Sequence, residues 1–111
     1  MIRTFFRIVE SDPPTTDDFL SLEQRGIPTD RTLSAEERYM RTGISVFATL
    51  TQAEVKARTF PHLGQFIAIM EIDDEGPFAL ARTGKGRGHH TLWGESVDLM
   101  NCVVRIVRVR I

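Results

Sequence analysis

Phe66-Ile67-Ala68-Ile69-Met70-Glu71-Ile72 is a nearly continuous apolar run. A strand with only one buried face alternates apolar and polar residues, and this run does not. It predicts a central strand covered on both faces. Asp73-Asp74-Glu75-Gly76-Pro77 closes it with a turn, and Phe78 to Arg82 reads as a weaker strand. Thr83 to His90 is a glycine-rich loop, Thr91 to Met100 has no single period, and Cys102 to Ile111 reads as the last strand. On the N-terminal side, Thr4 to Glu10 reads as the first strand. Phe6 and Ile8 lie on one face, Phe5 and Val9 on the other, with Arg7 among them. Pro13 and Pro14 end it, because neither can donate to a ladder.

Helix signals cluster between these strands. Thr15 or Thr16 can cap a helix whose first turn holds Asp17 and Asp18, with Phe19, Leu20 and Leu22 as its apolar stripe and Gly26 and Pro28 as its stop. Ser34 with Glu37 forms a capping box for a short helix that runs to about Arg41 and stops at Gly43. Ile44 to Ala48 is a short apolar strand. Thr51 with Glu54, or the overlapping Thr49 with Gln52, starts a helix that ends before Pro61. Helix signals come early and strand-like segments late. This segregation favours an α+β domain, a small curved mixed sheet with two or three short helices, over a doubly wound sheet. One core is expected, from Phe6, Ile8, Val46, Phe66, Ala68, Met70, Val104 and Ile106.

Composition narrows the class. The chain has 111 residues, 41% hydrophobic and 26% charged, which suits one soluble globular domain over 1–111. A formal net charge of -1 argues against a dedicated nucleic-acid binder. The single cysteine, Cys102, forms no internal disulfide. No apolar run is long enough to span a bilayer, and Arg3 and Arg7 interrupt any signal-like stretch, so a cytoplasmic location is expected. Charge is nevertheless uneven: residues 82 to 111 carry six basic and two acidic side chains.

Four features bear on chemistry. In Thr83-Gly84-Lys85-Gly86-Arg87-Gly88-His89-His90 the glycines allow several N–H groups to face one anion, and Lys85 and Arg87 add charge, the makings of a weak phosphate cradle. Adjacent histidines in an extended segment point to opposite faces, so His89 and His90 make a poor chelating pair and no metal site is expected. A histidine as acid–base group in a cleft is the better reading, and no Ser-His-Asp or Cys-His arrangement is evident. Glu95 follows Trp93-Gly94, and an aromatic beside a carboxylate offers both a tuned acid and a stacking surface. Arg7, inside an apolar strand, needs an anionic partner: a core-edge carboxylate or a ligand phosphate.

In order along the chain, these pieces resemble the ADP-ribosyltransferase-like superfamily, including its small bacterial toxin-type and rifampicin-modifying members. Phe5-Phe6-Arg7-Ile8-Val9 is similar to an opening strand whose Arg or His grips the dinucleotide. Gly43-Ile44-Ser45-Val46-Phe47-Ala48-Thr49 before an Ala-containing helix is similar to the second landmark, and Phe66 to Ile72 to the next core strand. Glu95 before the last strand is similar to the acidic residue near the domain's end. The chain departs from the family pattern: Ser45 and Thr49 meet its Ser-Thr-Ser triplet only in part, and the Glu-X-Glu pattern is absent. The resemblance implies NAD as substrate, with Arg7 as pyrophosphate anchor, Ser45 and Phe47 as cleft wall and Glu95 as the carboxylate near the ribose. To these the chemistry of the residues adds His90, which joins Glu95 and Ser45 as the expected catalytic residues, and Trp93, Lys85 and Arg87 as ligand contacts. The rival reading is a non-catalytic interaction module, one half of a small bacterial protein pair, that docks a protein partner or a second copy through the edge of Cys102 to Ile111. RNA binding through Lys85, Arg87 and the C-terminal arginines ranks third because of the net charge.

Overall fold

The apolar run at Phe66 becomes strand β3 (Phe66–Asp73), an inner strand of a six-stranded sheet. The structure is a computed structural model and describes residues 1–29 and 31–110. Strands β1 (Ile2–Val9), β2 (Ile44–Phe47), β3, β4 (Ala79–Arg82), β5 (His89–Trp93) and β6 (Val103–Arg108) lie in the order β4-β5-β2-β1-β3-β6. Every pairing is antiparallel, so the mixed sheet expected from sequence is corrected to an antiparallel one. The α+β class holds, with three short helices: α1 (Ala35–Met40), α2 (Leu50–Thr59) and α3 (Ser96–Met100).

Both faces of β3 are covered, and they belong to two clusters. Ala68, Met70 and Ile72 pack with Phe5, Val9, Phe19, Ile44, Val46, Leu92 and Leu99 on one face. Ile67 joins Phe47 and Ala53 on the other, flanked by Phe6, Ile8 and Leu50. The single expected core is therefore two, because alternation in β1 sends Phe5 and Phe6 to opposite sides. Val104, expected in the core, is 57% exposed: it sits on the outer strand β6.

Local chemistry sets the helix ends. Ser34 caps α1, its Oγ accepting from the Glu37 amide while Glu37 Oε1 accepts from the Ser34 amide. At α2 the box is Thr49 with Gln52, not Thr51 with Glu54. Glu54 is instead 2% exposed and accepts from Nε and Nη2 of Arg110, whose guanidinium holds its carboxylate down to about 2. Arg110 is thus the partner of Glu54, although its own side chain stays 77% exposed. The helix expected after Thr15 shrinks to one 3-10 turn, Thr16–Phe19, whose Phe19 is buried against α3. The last strand ends at Arg108, and Ile111 of the expected strand lies outside the described residues.

The sheet is not evenly knitted. β1 pairs with β3 along eight register positions, but β1 and β2 share one, Phe6↔Phe47. Continued, that ladder would set Ile8 opposite Ser45, and it does not continue. The sheet is two three-stranded halves that part beyond Phe6.

Met70→Ala is expected to lower stability by about 2–5 kcal/mol, whereas Val104→Ala changes it by less than about 0.5 kcal/mol. Urea denaturation of the two variants checks this, and equal losses would contradict the assignment of the core.

Candidate functional site

A cleft of about 600 Å³ opens where β1 and β2 part. Arg7 and Ile8 of β1, Ile44, Ser45 and Phe47 of β2, His89 of β5 and Lys56 of α2 line it, with Leu20 to Arg25 and Arg31 to Arg41 forming much of the remaining wall.

Arg7 dominates its electrostatics. The side chain leaves β1 on the side of Phe5 and Val9. Its Nε donates to the Asp18 carbonyl and its Nη1 to the Ser45 carbonyl, both at 2.8 Å. The second bond replaces the ladder that β1 fails to make: the Ser45 carbonyl faces β1, and a guanidinium takes the place of a backbone amide. No carboxylate forms an ion pair with Arg7 among the described residues. Asp18 is close enough to favour the cation, but its carboxylate oxygens are engaged by the Glu10 amide, the Ser11 hydroxyl and the Thr15 amide. Burial therefore prevails and pulls Arg7 down to about 10, with the like charge of Arg25 adding to the fall. The core-edge salt bridge that sequence allowed for Arg7 is absent among the described residues.

The remaining lining is cationic and apolar. Arg25, Arg41 and Lys56 contribute charge, and Leu20, Leu22, Ile27, Leu33, Met40 and Leu63 contribute apolar surface. Among the described residues, two carboxylates line it, Glu10 and Glu37. Glu37 is spent on Arg31, which holds it down to about 2.

His89 is the candidate residue that sequence reasoning missed. Register pairs Phe47 with His89 and Ser45 with Thr91, so Ser45 and His89 are diagonal neighbours on one face. Ser45 Oγ lies 3.0 Å from His89 Nε2. His89 Nδ1 lies 3.1 Å from the Thr83 carbonyl, which only accepts. The proton therefore sits on Nδ1, and Nε2 accepts from the Ser45 hydroxyl. Thr83 Oγ1 also approaches Nδ1 and bonds Thr91 Oγ1 at 2.7 Å, so the ring is fixed from behind. Burial lowers the His89 pKa, and the charges of Lys56 and His90 lower it further against the bond to Thr83. A Ser–His arrangement thus exists where none was evident in the sequence.

The other sequence candidates lie apart from the cleft lining. His90 turns to the opposite face, edge-on to Phe5 with ring centroids 5.1 Å apart, and its Nδ1 donates to the Gly88 carbonyl. Trp93 stacks on Tyr39 at 4.7 Å and donates to Thr42 Oγ1. Glu95 is exposed at the N-cap of α3. Lys85 and Arg87 are exposed on the β4–β5 connection, which is tethered at its end: the Gly88 carbonyl accepts from the Ala48 amide. Gly88 has φ +78°, and a Cβ there would fall 2.0 Å from Gln52 Oε1. Only glycine lets this connection close on the N-terminus of α2. Of the residues singled out from sequence, Arg7, Ser45 and Phe47 meet in the cleft.

Compared with models of protein families, with curated proteins and with solved structures, the chain matches none. No helix among the described residues is long and apolar enough to cross a membrane.

Two outcomes are expected. Gly88→Ala should destabilise by about 1 kcal/mol or more, read as a lower melting temperature, because both its φ and its contact oppose a side chain. His89 binds its proton less readily in the fold than in the unfolded chain, where its ordinary value is 6.5. The unfolded state therefore takes up more protons, so its stability contribution, full above that value, is lost as the pH falls below it. Melting temperatures between about pH 7 and 5 should fall less in His89→Gln than in the wild type; an identical fall in both would contradict the neutral, half-buried imidazole.

Proposed function

We propose that the cleft binds NAD, with its pyrophosphate on Arg7, and that the chain is an ADP-ribosyltransferase-like domain acting as a small toxin or a modifying enzyme. One observation carries this reading: a half-buried guanidinium faces a cleft with two carbonyls and, among the described residues, no carboxylate as hydrogen-bond or ion-pair partner, beside further cations. A buried charge without a counter-charge is costly, and an anion in the cleft removes that cost. Arginine's fork retains donors beyond the two engaged here, suited to phosphate oxygens. The cleft volume lies in the range of small-molecule sites, and its apolar lining offers cover for flat rings.

ADP-ribosyl transfer breaks the glycosidic bond to nicotinamide through an oxocarbenium-like state, which needs an anchored pyrophosphate and a wall around the reacting sugar. Arg7 serves as the anchor in this reading, with Ser45 and Phe47 as the wall. Glu95, exposed at α3 and outside the cleft lining, does not stand beside them, so the support is stronger for binding than for cleavage through that carboxylate.

A second reading, an interaction module, draws on β6. It is an outer strand with one edge unpaired in the sheet, and Val104 upon it is 57% exposed. Concentration-dependent mass in sedimentation would favour it.

NAD at about 100 times its dissociation constant should stabilise the protein by about 2.7 kcal/mol, seen as a raised melting temperature. Arg7→Lys keeps the charge and loses the fork, so the NAD-induced rise should shrink. A wild-type melting temperature indifferent to NAD would refute the proposal.

A further inference from the structure

We propose that Ser45 is a nucleophile activated by His89, and that the group it takes up comes from a phosphate-bearing ligand seated on Arg7. The assignment rests on three placements. The Ser45 hydroxyl is exposed in the cleft and donates to His89 Nε2 at 3.0 Å. The imidazole is locked with its other proton on Nδ1, toward the Thr83 carbonyl, which leaves Nε2 as the base. The Arg7 guanidinium binds the carbonyl of Ser45 itself, and Arg7, Ser45 and His89 line one cleft, so a ligand seated on Arg7 that extends through the seam reaches the hydroxyl.

The Thr83 hydroxyl and carbonyl fix the ring from behind, so its free nitrogen stays aimed at the Ser45 hydroxyl. With NAD as ligand, which is the part that rests on the proposed function, Ser45 Oγ bonds to C1′ of the nicotinamide ribose. The C1′–N bond breaks, its electron pair leaves with neutral nicotinamide, and the hydroxyl proton passes to His89 Nε2. Ser45 then carries the ADP-ribosyl group.

A fluorophosphonate probe tests the nucleophile without NAD: Ser45 Oγ bonds to phosphorus, fluoride leaves, and His89 takes the proton. Intact-mass measurement and peptide mapping should place the adduct on Ser45. Labelling should be absent in Ser45→Ala and slowed about 100-fold in His89→Gln, or in His89→Asn if the first variant melts below the assay temperature. Inorganic pyrophosphate should protect the wild type, and NAD should leave an ADP-ribosyl adduct on Ser45. An unlabelled Ser45, or labelling that both His89 variants leave unchanged, overturns the nucleophile. Labelling that pyrophosphate does not slow overturns the seat on Arg7. A melting temperature raised by NAD with Ser45 unlabelled and unmodified overturns this inference and leaves the proposed function standing; His89-dependent labelling without an NAD-induced rise does the reverse.

Discussion

The guanidinium of Arg7 bridges the place where the sheet comes apart. On one side lie β4, β5 and β2, on the other β1, β3 and β6, and a single register pair joins them. Past that pair the Ser45 carbonyl would face a gap, and Arg7 fills it while its Nε ties β1 to the turn at Asp18. One side chain therefore closes the seam and charges the cleft that the seam creates. The two roles are compatible because arginine has more donors than the seam uses. Lysine would keep the charge but not the rigid planar fork whose Nε and Nη1 reach the two carbonyls at once.

The seam also explains why two sets of cations on this chain differ in kind. Lys85 and Arg87 sit exposed, where water and salt screen them within about 10 Å. Arg7 is desolvated enough to be pulled down to about 10, and a charge in that environment interacts far more strongly with whatever anion reaches it. The glycine-rich loop drew attention in the sequence because its composition is unusual. The cleft draws attention in the structure because Arg7 has no ion-pair partner among the described residues.

Legibility followed locality. The capping box at Ser34 and Glu37 is written within four consecutive positions, and α1 begins where it says. The run at Phe66 signalled a strand covered on both faces, and Ile67 and Ala68 are both fully buried. The Thr51–Glu54 box was as well formed in sequence as Thr49–Gln52, but Glu54 is claimed by Arg110, 56 positions away. The shortened helix at Thr16 has the same origin: Asp18 is drawn to Glu10, Ser11 and Thr15 and braces the end of β1. At the site, Arg7 and Ser45 were legible because polar residues in apolar strands demand partners. The choice between His89 and His90 was not, because it depends on where β5 begins. Once β5 includes Leu92, and Leu92 is buried with Ile44 and Val46, parity sends His90 to that core face and His89 to the side of Ser45.

The central claim is that the uncompensated cation at the seam is the seat of an anionic ligand. A crystal structure of the protein grown with NAD tests it most directly. The account predicts pyrophosphate oxygens within hydrogen-bond distance of the Arg7 guanidinium, between β1 and β2, with the bond to the Ser45 carbonyl retained. Pyrophosphate bound instead at Lys85 and Arg87, with Arg7 keeping only its two carbonyl partners, would contradict it.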